Sequence, residues 1–182
     1  MKNEYLILVN AQFPICVDEP ADLVSVSPAF PEIKLRRAAQ TALQNLLHAI
    51  GSGDRIIPVS GYRSRKEQAS IYKSSLQEHG AAFTRKFVAF PGCSEHQTGL
   101  AVDLALNREC IDFIRPDFPS DGICGEFRKL APQYGFVERY PGGKEAVTGI
   151  AHEPWHFRYV GCPHSEIMTA RNLTLEEYIE LL

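Results

Sequence analysis

The spacing of apolar side chains along the chain predicts both helices and strands. From residue 32 to residue 50 they recur every three or four positions, which predicts a helix that ends at Gly51. Residues 100–106 alternate strictly, so Leu100, Val102 and Leu104 share one face of a predicted strand. Shorter runs predict four more strands, at residues 5–9, 55–62, 136–139 and 155–160.

Local signals place further helix ends. Ser64 with Glu67, and Thr174 with Glu177, each form a capping box that starts a helix. The first of these helices should stop at Gly80, and another is predicted over residues 125–134. Residues 10–31 contain four prolines and are predicted to form an extended arm. This mixed order of short strands and helices predicts an α+β fold with a largely antiparallel sheet flanked by helices, in a single domain over residues 1–182.

Composition narrows the class of protein. Of the 182 residues, 45% are hydrophobic and 23% are charged, which excludes a disordered or collagen-like chain. The net charge of −3 gives no support for nucleic acid or an anionic membrane as the main partner. The oligomeric state does not follow from the sequence.

The cysteines and the amino-terminal segment bear on the compartment. Five cysteines, with no C-x-x-C spacing, indicate neither a disulfide framework nor a thiolate zinc site. The apolar run at residues 5–9 is too short for a signal peptide or a membrane anchor. We therefore expect a reduced, cytoplasmic protein that begins at Met1.

Residues that suit metal chemistry concentrate in two segments, 94–103 (SEHQTGLAVD) and 152–156 (HEPWH). The second segment matches H-E-x-x-H, in which His152 and His156 would bind zinc from one face of a helix. Pro154 argues against that arrangement, because the residue before a proline is disfavoured in helical conformation. The following alternation also favours a strand, so His152 is assigned to a supporting role.

A second ligand set avoids this difficulty. His96, Asp103 and His156 would bind the metal, and Glu153 would act as the base. Asp103 lies opposite the leucine face of its strand, where a lone carboxylate is costly unless a cation binds it. Glu153 and His156 can face one metal only if the chain turns at Pro154.

The order S-x-H-x-x-G-x-A-x-D, then E-x-W-H, with G-Y-R-S upstream, resembles the zinc D-Ala-D-Ala peptidases of vancomycin resistance, the VanX and VanY types. The resemblance extends over residues 6–160, and residues 6–15 look like the family's opening strand. Because the chain is short and we expect no membrane anchor, it is most similar to the bifunctional VanXY dipeptidase/carboxypeptidases. The implied function is hydrolysis of D-Ala-D-Ala, or removal of the terminal D-Ala from the cell-wall precursor pentapeptide.

The resemblance also implies a role for individual residues. His96, Asp103 and His156 would bind one Zn²⁺, and Glu153 would be the general base. Arg63 would stabilise the oxyanion, and Gln68 and Ser94 would contact the substrate. Trp155, apart from the resemblance, is interpreted as a packing residue that orients His156, and it is predicted to contact the substrate from the pocket wall.

Two alternatives remain open at this point. The same zinc fold also serves cell-wall L,D- or D,L-endopeptidases, which the ligand motif does not distinguish. A non-enzymatic zinc-stabilised binding module is the third possibility, but it is disfavoured because Glu153 and Arg63 are both present.

Overall fold

A computed structural model describes residues 4–15 and 19–182 and has an α+β architecture, as predicted. In chain order the elements are β1 (Leu23–Ser27), β2 (Phe30–Arg36), α1 (Arg37–Ala49), β3 (Ile56–Ser60), α2 (Arg65–Phe87), a 3₁₀ turn (Glu95–Thr98), β4 (Ala101–Leu106), α3 (Gly122–Leu130), a second 3₁₀ turn (Ala131–Tyr134), β5 (Phe136–Glu138), α4 (Glu145–Thr148), β6 (His156–Tyr159), α5 (His164–Ala170) and α6 (Leu175–Glu180).

The central sheet has four strands in the order β3-β4-β6-β5, and each neighbouring pair is antiparallel. The prediction of a largely antiparallel sheet is therefore confirmed. The register pairs Asp103 on β4 with His156 on β6, and Ser60 at the end of β3 with Asp103. Three strands thus converge at one end of the sheet.

Strand β4 is buried on both faces, whereas its alternating pattern predicts one core face. Leu100, Val102 and Leu104 are fully buried, but so are Ala101 and Ala105 on the other face. A strand between two neighbours in a covered sheet loses solvent on both sides, and small alanines permit that close cover. Asp103 is also buried, at 8% exposure.

Helix α1 supplies much of the core packed against the sheet. Leu43 and Leu46 are fully buried and belong to the same cluster as Leu104, Phe127 and Phe157. Burying a leucine or phenylalanine side chain is worth about 1.5–3 kcal/mol. A smaller cluster at the carboxyl-terminal end contains Met168, Leu175 and Tyr178.

The amino-terminal third differs from prediction. Residues 5–9 form no strand, and the arm predicted at residues 10–31 contains β1 and the turn into β2. The helix predicted from residue 32 begins only at Arg37, because residues 32–36 pair with β1 in the hairpin. Residues 16–18, which include Cys16, lie outside the described part of the chain.

Helix α2 continues past its predicted stop. Gly80 is non-helical there (φ 80°, ψ 170°) and kinks the helix, but a second segment runs on to Phe87. The hydroxyls of Ser75 and Thr84 lie 2.8 Å apart across the kink, and Thr84 also donates to the carbonyl of Gly80.

Both predicted capping boxes are present, at Ser64 with Glu67 and at Thr174 with Glu177. Within the described residues, no helix combines the length and apolar character needed to cross a membrane.

Candidate active site

Two histidines and an aspartate meet at one end of the sheet. His96 lies on the first 3₁₀ turn, Asp103 on β4 and His156 at the start of β6. His96 Nε2 is 3.1 Å from Asp103 Oδ2, and His156 Nδ1 is 3.0 Å from Asp103 Oδ1. One potential ligand atom from each lies within 4.8 Å of the others, so the three buried residues could hold a metal ion.

The orientation of His96 fits a cation at this position. Its Nδ1 lies 2.7 Å from the carbonyl oxygen of Gly61, and because a carbonyl only accepts, Nδ1 must carry the proton. The neutral ring then directs the Nε2 lone pair at an Asp103 carboxylate oxygen. Two acceptors this close require a cation or a proton between them. Among the residues described, His96 Nε2 and Asp103 Oδ1 have no hydrogen-bond partner.

Gly61 brings this carbonyl close to His96. A Cβ at this position would overlap the carbonyl oxygen of Lys34 on β2. The amide of Tyr62 also donates to that same oxygen, at 2.6 Å. Only glycine therefore lets the end of β3 pass the hairpin so closely.

The three residues perturb one another's protonation. Burial alone would raise the pKa of Asp103, but the two histidines hold it far below its usual range. Burial, together with the charge of Arg63, lowers the pKa of His96 to about 4. Burial also acts to lower the pKa of His156, but the carboxylates of Asp103 and Glu95 outweigh it and raise it to about 9.

Glu153 lies beside this group but is not part of it. The chain turns at Pro154, and the amide of His156 donates to the Glu153 carbonyl at 3.1 Å. This turn places Glu153 Oε2 3.7 Å from His156 Nδ1. Burial raises the pKa of Glu153 to about 8, a suitable range for a group that takes up and releases a proton near neutral pH.

Arg63 reaches the same pocket from the loop after β3. Its Nη2 is 4.0 Å from Asp103 Oδ2, and its side chain is about one-fifth exposed. The Arg63 amide donates to the carbonyl of His96, which fixes the loop against the 3₁₀ turn. Its Nε is buried and has no hydrogen-bond partner in the described part of the chain.

Gln68, Ser94 and Trp155 all line the pocket, and all three are buried. Gln68 donates through Nε2 to the carbonyl of Ala89 at 2.7 Å. Its Oε1 is buried and has no partner within the described residues. Trp155 also packs in the main core. The rest of the wall is mainly apolar, and includes Ile71, Phe87, Val88, Ala89, Phe113, Ile114 and Ile150.

His152 lies outside the group. Residues 152–155 are not helical, so His152 and His156 do not share a helix face. His152 instead contacts Glu138 through Nε2 at 3.0 Å, and its side chain is 47% exposed. The H-E-x-x-H match is therefore not a zincin helix.

The sequence interpretation missed the charged residues behind His156. Glu95 is fully buried and contacts Arg139 at 2.7 Å and Arg158 at 2.9 Å. Glu95 is within the quoted motif, next to His96, but its spacing gives no sign of its partners. The arginines occur near the ends of two short apolar strands, where only the structure shows that their side chains point inward.

Comparison with known proteins identifies the family. The VanY family, described as D-alanyl-D-alanine carboxypeptidase, matches residues 32–162. This chain belongs to the VanY family. The VanY match covers the loop of Arg63, the group of His96, Asp103 and His156, and Glu153. As a VanY-family protein, the chain is a peptidase by family, and the resemblance inferred from its motifs is confirmed.

Relatives of this VanY-family protein refine the comparison. It is 43% identical, over 97% of its own length and 94% of the relative's, to the bifunctional D-Ala-D-Ala dipeptidase and carboxypeptidase VanXYC of Enterococcus gallinarum. The crystal structure of the vancomycin-resistance D,D-dipeptidase VanXYg with a D-Ala-D-Ala phosphinate analogue matches with a TM-score of 0.96 and 53% identity, covering 99% of this chain and 73% of that one. The LD-carboxypeptidase LdcB matches less closely, with a TM-score of 0.79 and 35% identity, covering 99% and 88%. The endopeptidase and binding-module alternatives are therefore not favoured.

Proposed function

We propose that this chain is a zinc D,D-peptidase that hydrolyses D-Ala-D-Ala and removes the terminal D-Ala from the cell-wall precursor pentapeptide. The observation that carries the proposal is the convergence of His96, Asp103 and His156 on one buried point, with Glu153 and Arg63 beside it. The likeness to VanXYC and VanXYg supports the D,D substrate class.

The proposed metal ligands are His96 Nε2, Asp103 and His156 Nδ1. Two imidazoles and one carboxylate form a nitrogen and oxygen donor set that suits catalytic zinc, which normally has three protein ligands and one open position. When bound, Zn²⁺ would acidify water and polarise the substrate carbonyl. The lone-pair orientation of His96 is the structural feature that supports this assignment.

Glu153 is proposed as the general base and acid. Its carboxylate takes a proton from the attacking water as oxygen adds to the carbonyl carbon between the two alanines. It then delivers that proton to the nitrogen as the C–N bond breaks. Burial within the pocket, which raises its pKa to about 8, suits a carboxyl group that performs both transfers.

The remaining groups would bind the substrate and the developing charge. Arg63 is proposed to stabilise the oxyanion, because its guanidinium lies at the pocket beside Asp103. We propose that Ser94 and neighbouring backbone amides bind the terminal carboxylate of the substrate. Gln68 Oε1, which has no hydrogen-bond partner among the described residues, would accept a hydrogen bond from the substrate's amide or amine. Trp155 and the apolar wall would contact the alanine methyl groups.

D-Alanine release tests the function directly. Purified protein would be incubated with D-Ala-D-Ala, with the precursor pentapeptide, and with a tetrapeptide ending in L-Lys-D-Ala. We expect release from the first two only, loss of release with chelator, and recovery when zinc is restored. Release from the tetrapeptide alone would identify an L,D-peptidase, and release that resists chelator would contradict the metal mechanism.

The proposed setting is the cytoplasm, where the dipeptide and the precursor are made. Within the part of the chain that the structure describes, the cysteines are free, which is consistent with a reducing compartment: Cys93, Cys110, Cys124 and Cys162. Destroying D-Ala-D-Ala there would support vancomycin resistance. Fractionation of producing cells, followed by immunodetection, tests the location.

A further inference from the structure

Glu95 lies directly behind His156, on the side away from Asp103. His156 Nδ1 faces Asp103 at 3.0 Å, while its other nitrogen, Nε2, lies 3.6 Å from Glu95 Oε2. Both side chains are almost completely buried. For the residues that the structure describes, neither His156 Nε2 nor Glu95 Oε2 has any hydrogen-bond partner.

Two arginines hold Glu95 in place. Arg139 Nε lies 2.7 Å and Arg158 Nη1 lies 2.9 Å from Glu95 Oε1, and neither arginine is more than 1% exposed. Both ion pairs use the same carboxylate oxygen, which leaves Oε2 directed at the imidazole. Arg139 also binds Glu176 through Nη1 and Nη2 at 2.8 and 2.6 Å.

The charges of this cluster balance. It contains two arginines and two carboxylates, Glu95 and Glu176, so their net charge is zero. Charges that are buried in a protein interior are normally paired in this way. A ring that binds metal through Nδ1 carries its proton on Nε2, where it needs an acceptor. Within the described chain, Glu95 Oε2 is the acceptor that this geometry offers.

We propose that Glu95 is a positioning residue that accepts a hydrogen bond from His156 Nε2 and so holds Nδ1 toward the metal. The separation of 3.6 Å needs to shorten by only a few tenths of an ångström to reach the usual range for such a bond. The inference rests on the metal site in the proposed function. It adds that zinc affinity depends on a residue that does not contact zinc.

Zinc affinity, measured by competition with a chromophoric chelator, tests the proposal without any substrate. We expect Glu95→Gln to raise the zinc dissociation constant about 10–100-fold, the usual effect of losing such a partner. The matched control is Glu176→Gln, which removes the same charge from the same cluster but does not face His156. It should leave the dissociation constant unchanged. If the two variants weaken zinc binding equally, Glu95 acts only through the charge balance and the proposal is wrong.

A second variant covers the possibility that Glu95→Gln does not fold. Glu95→Asp keeps the charge between the arginines but withdraws the carboxylate by one methylene. It should fold, bind zinc more weakly, and alter the visible absorption of the Co²⁺-substituted protein, which reports ligand geometry. An unchanged spectrum and dissociation constant in folded Glu95→Asp would overturn the proposal. Failure to release D-alanine, with the zinc results as expected, would instead count against the proposed function alone.

Discussion

Asp103 and His156 are direct partners in the antiparallel register of β4 and β6, and Asp103 Oδ1 lies 3.0 Å from His156 Nδ1. The two residues are far apart in sequence, and the pairing of β4 with β6 brings them together. A slip of one residue in that register would turn one side chain to the opposite face of the sheet. The core alternation of β4 and β6 thus also fixes the geometry of the site.

Replacing Glu153 with glutamine should abolish turnover and leave zinc bound. The amide keeps the shape of the side chain but cannot accept and return a proton, so we expect kcat to fall about 10²–10⁴-fold. D-Alanine release and metal content would be measured on the same preparation. His152→Gln is the control, because this neighbour points away from the site; comparable loss in both variants would contradict the assignment.

Replacing Arg63 separates an oxyanion role from a surface ion pair. Arg63→Ala should lower kcat about 10²-fold or more with zinc content unchanged, and Arg63→Lys should recover only part of it. Steady-state kinetics on D-Ala-D-Ala would be compared with Arg65→Ala, two residues along. If Arg63→Ala kept full kcat, Arg63 would not stabilise the oxyanion, and the metal would be the only group proposed for that role.

Gly61→Ala should destabilise the protein and distort the site together. The added methyl would overlap the carbonyl oxygen of Lys34 and displace the loop. That loop contains the Gly61 carbonyl, which accepts from His96 Nδ1, and it also contains Arg63. We expect a loss of about 1–3 kcal/mol in the free energy of unfolding, as for overpacking elsewhere, with weaker zinc binding. Gly142→Ala is the control, since its methyl would meet nothing closer than 3.7 Å. Urea unfolding that shows no difference between the two would refute this.

The capping box of α2 should make stability pH-dependent. Hydrogen bonds from the Ser64 side chain and amide lower the pKa of Glu67 from about 4.5. Its contribution is therefore fully present above pH 4.5 and is lost as the pH falls through the folded-state pKa. At neutral pH the free energy of unfolding of the wild type should exceed that of Glu67→Gln by about 0.5 kcal/mol. This difference should disappear in acid. A constant gap across urea titrations from pH 3 to 8 would contradict this origin.

Sequence reasoning succeeded where a local signal and the fold agree. Both capping boxes are present, and the strand around Asp103 and the turn at Pro154 are where the pattern places them. It failed at residues 32–36, where Ile33 and Leu35 alternate with Lys34 and Arg36. This alternation runs directly into the apolar spacing of the following helix, so the pattern does not separate the two elements. Residues 32–36 form a strand because they pair with β1, and that pairing is not a local property of the sequence.

The charged cluster around Glu95 could not be predicted for a different reason. Its members come from positions 95, 139, 158 and 176, and only the folded chain brings them together. Arg139 and Arg158 are fully buried, against the usual preference of arginine for the surface.

Residues 5–9 were predicted as a strand because their apolar run looks like one. Their backbone is instead held in part by a side chain, because Arg158 Nη2 donates hydrogen bonds to the carbonyls of Tyr5 and Ile7.

This last contact connects the amino-terminal segment to the candidate active site. A path of polar contacts leads from the Ile7 carbonyl through Arg158 and Glu95 to His156. A proteolytic cut between residues 7 and 8 would separate the Ile7 carbonyl from the rest of the chain, although Ile7 does not line the pocket. Because Glu95 would lose part of its support, we expect the nicked protein to bind zinc more weakly than the intact chain.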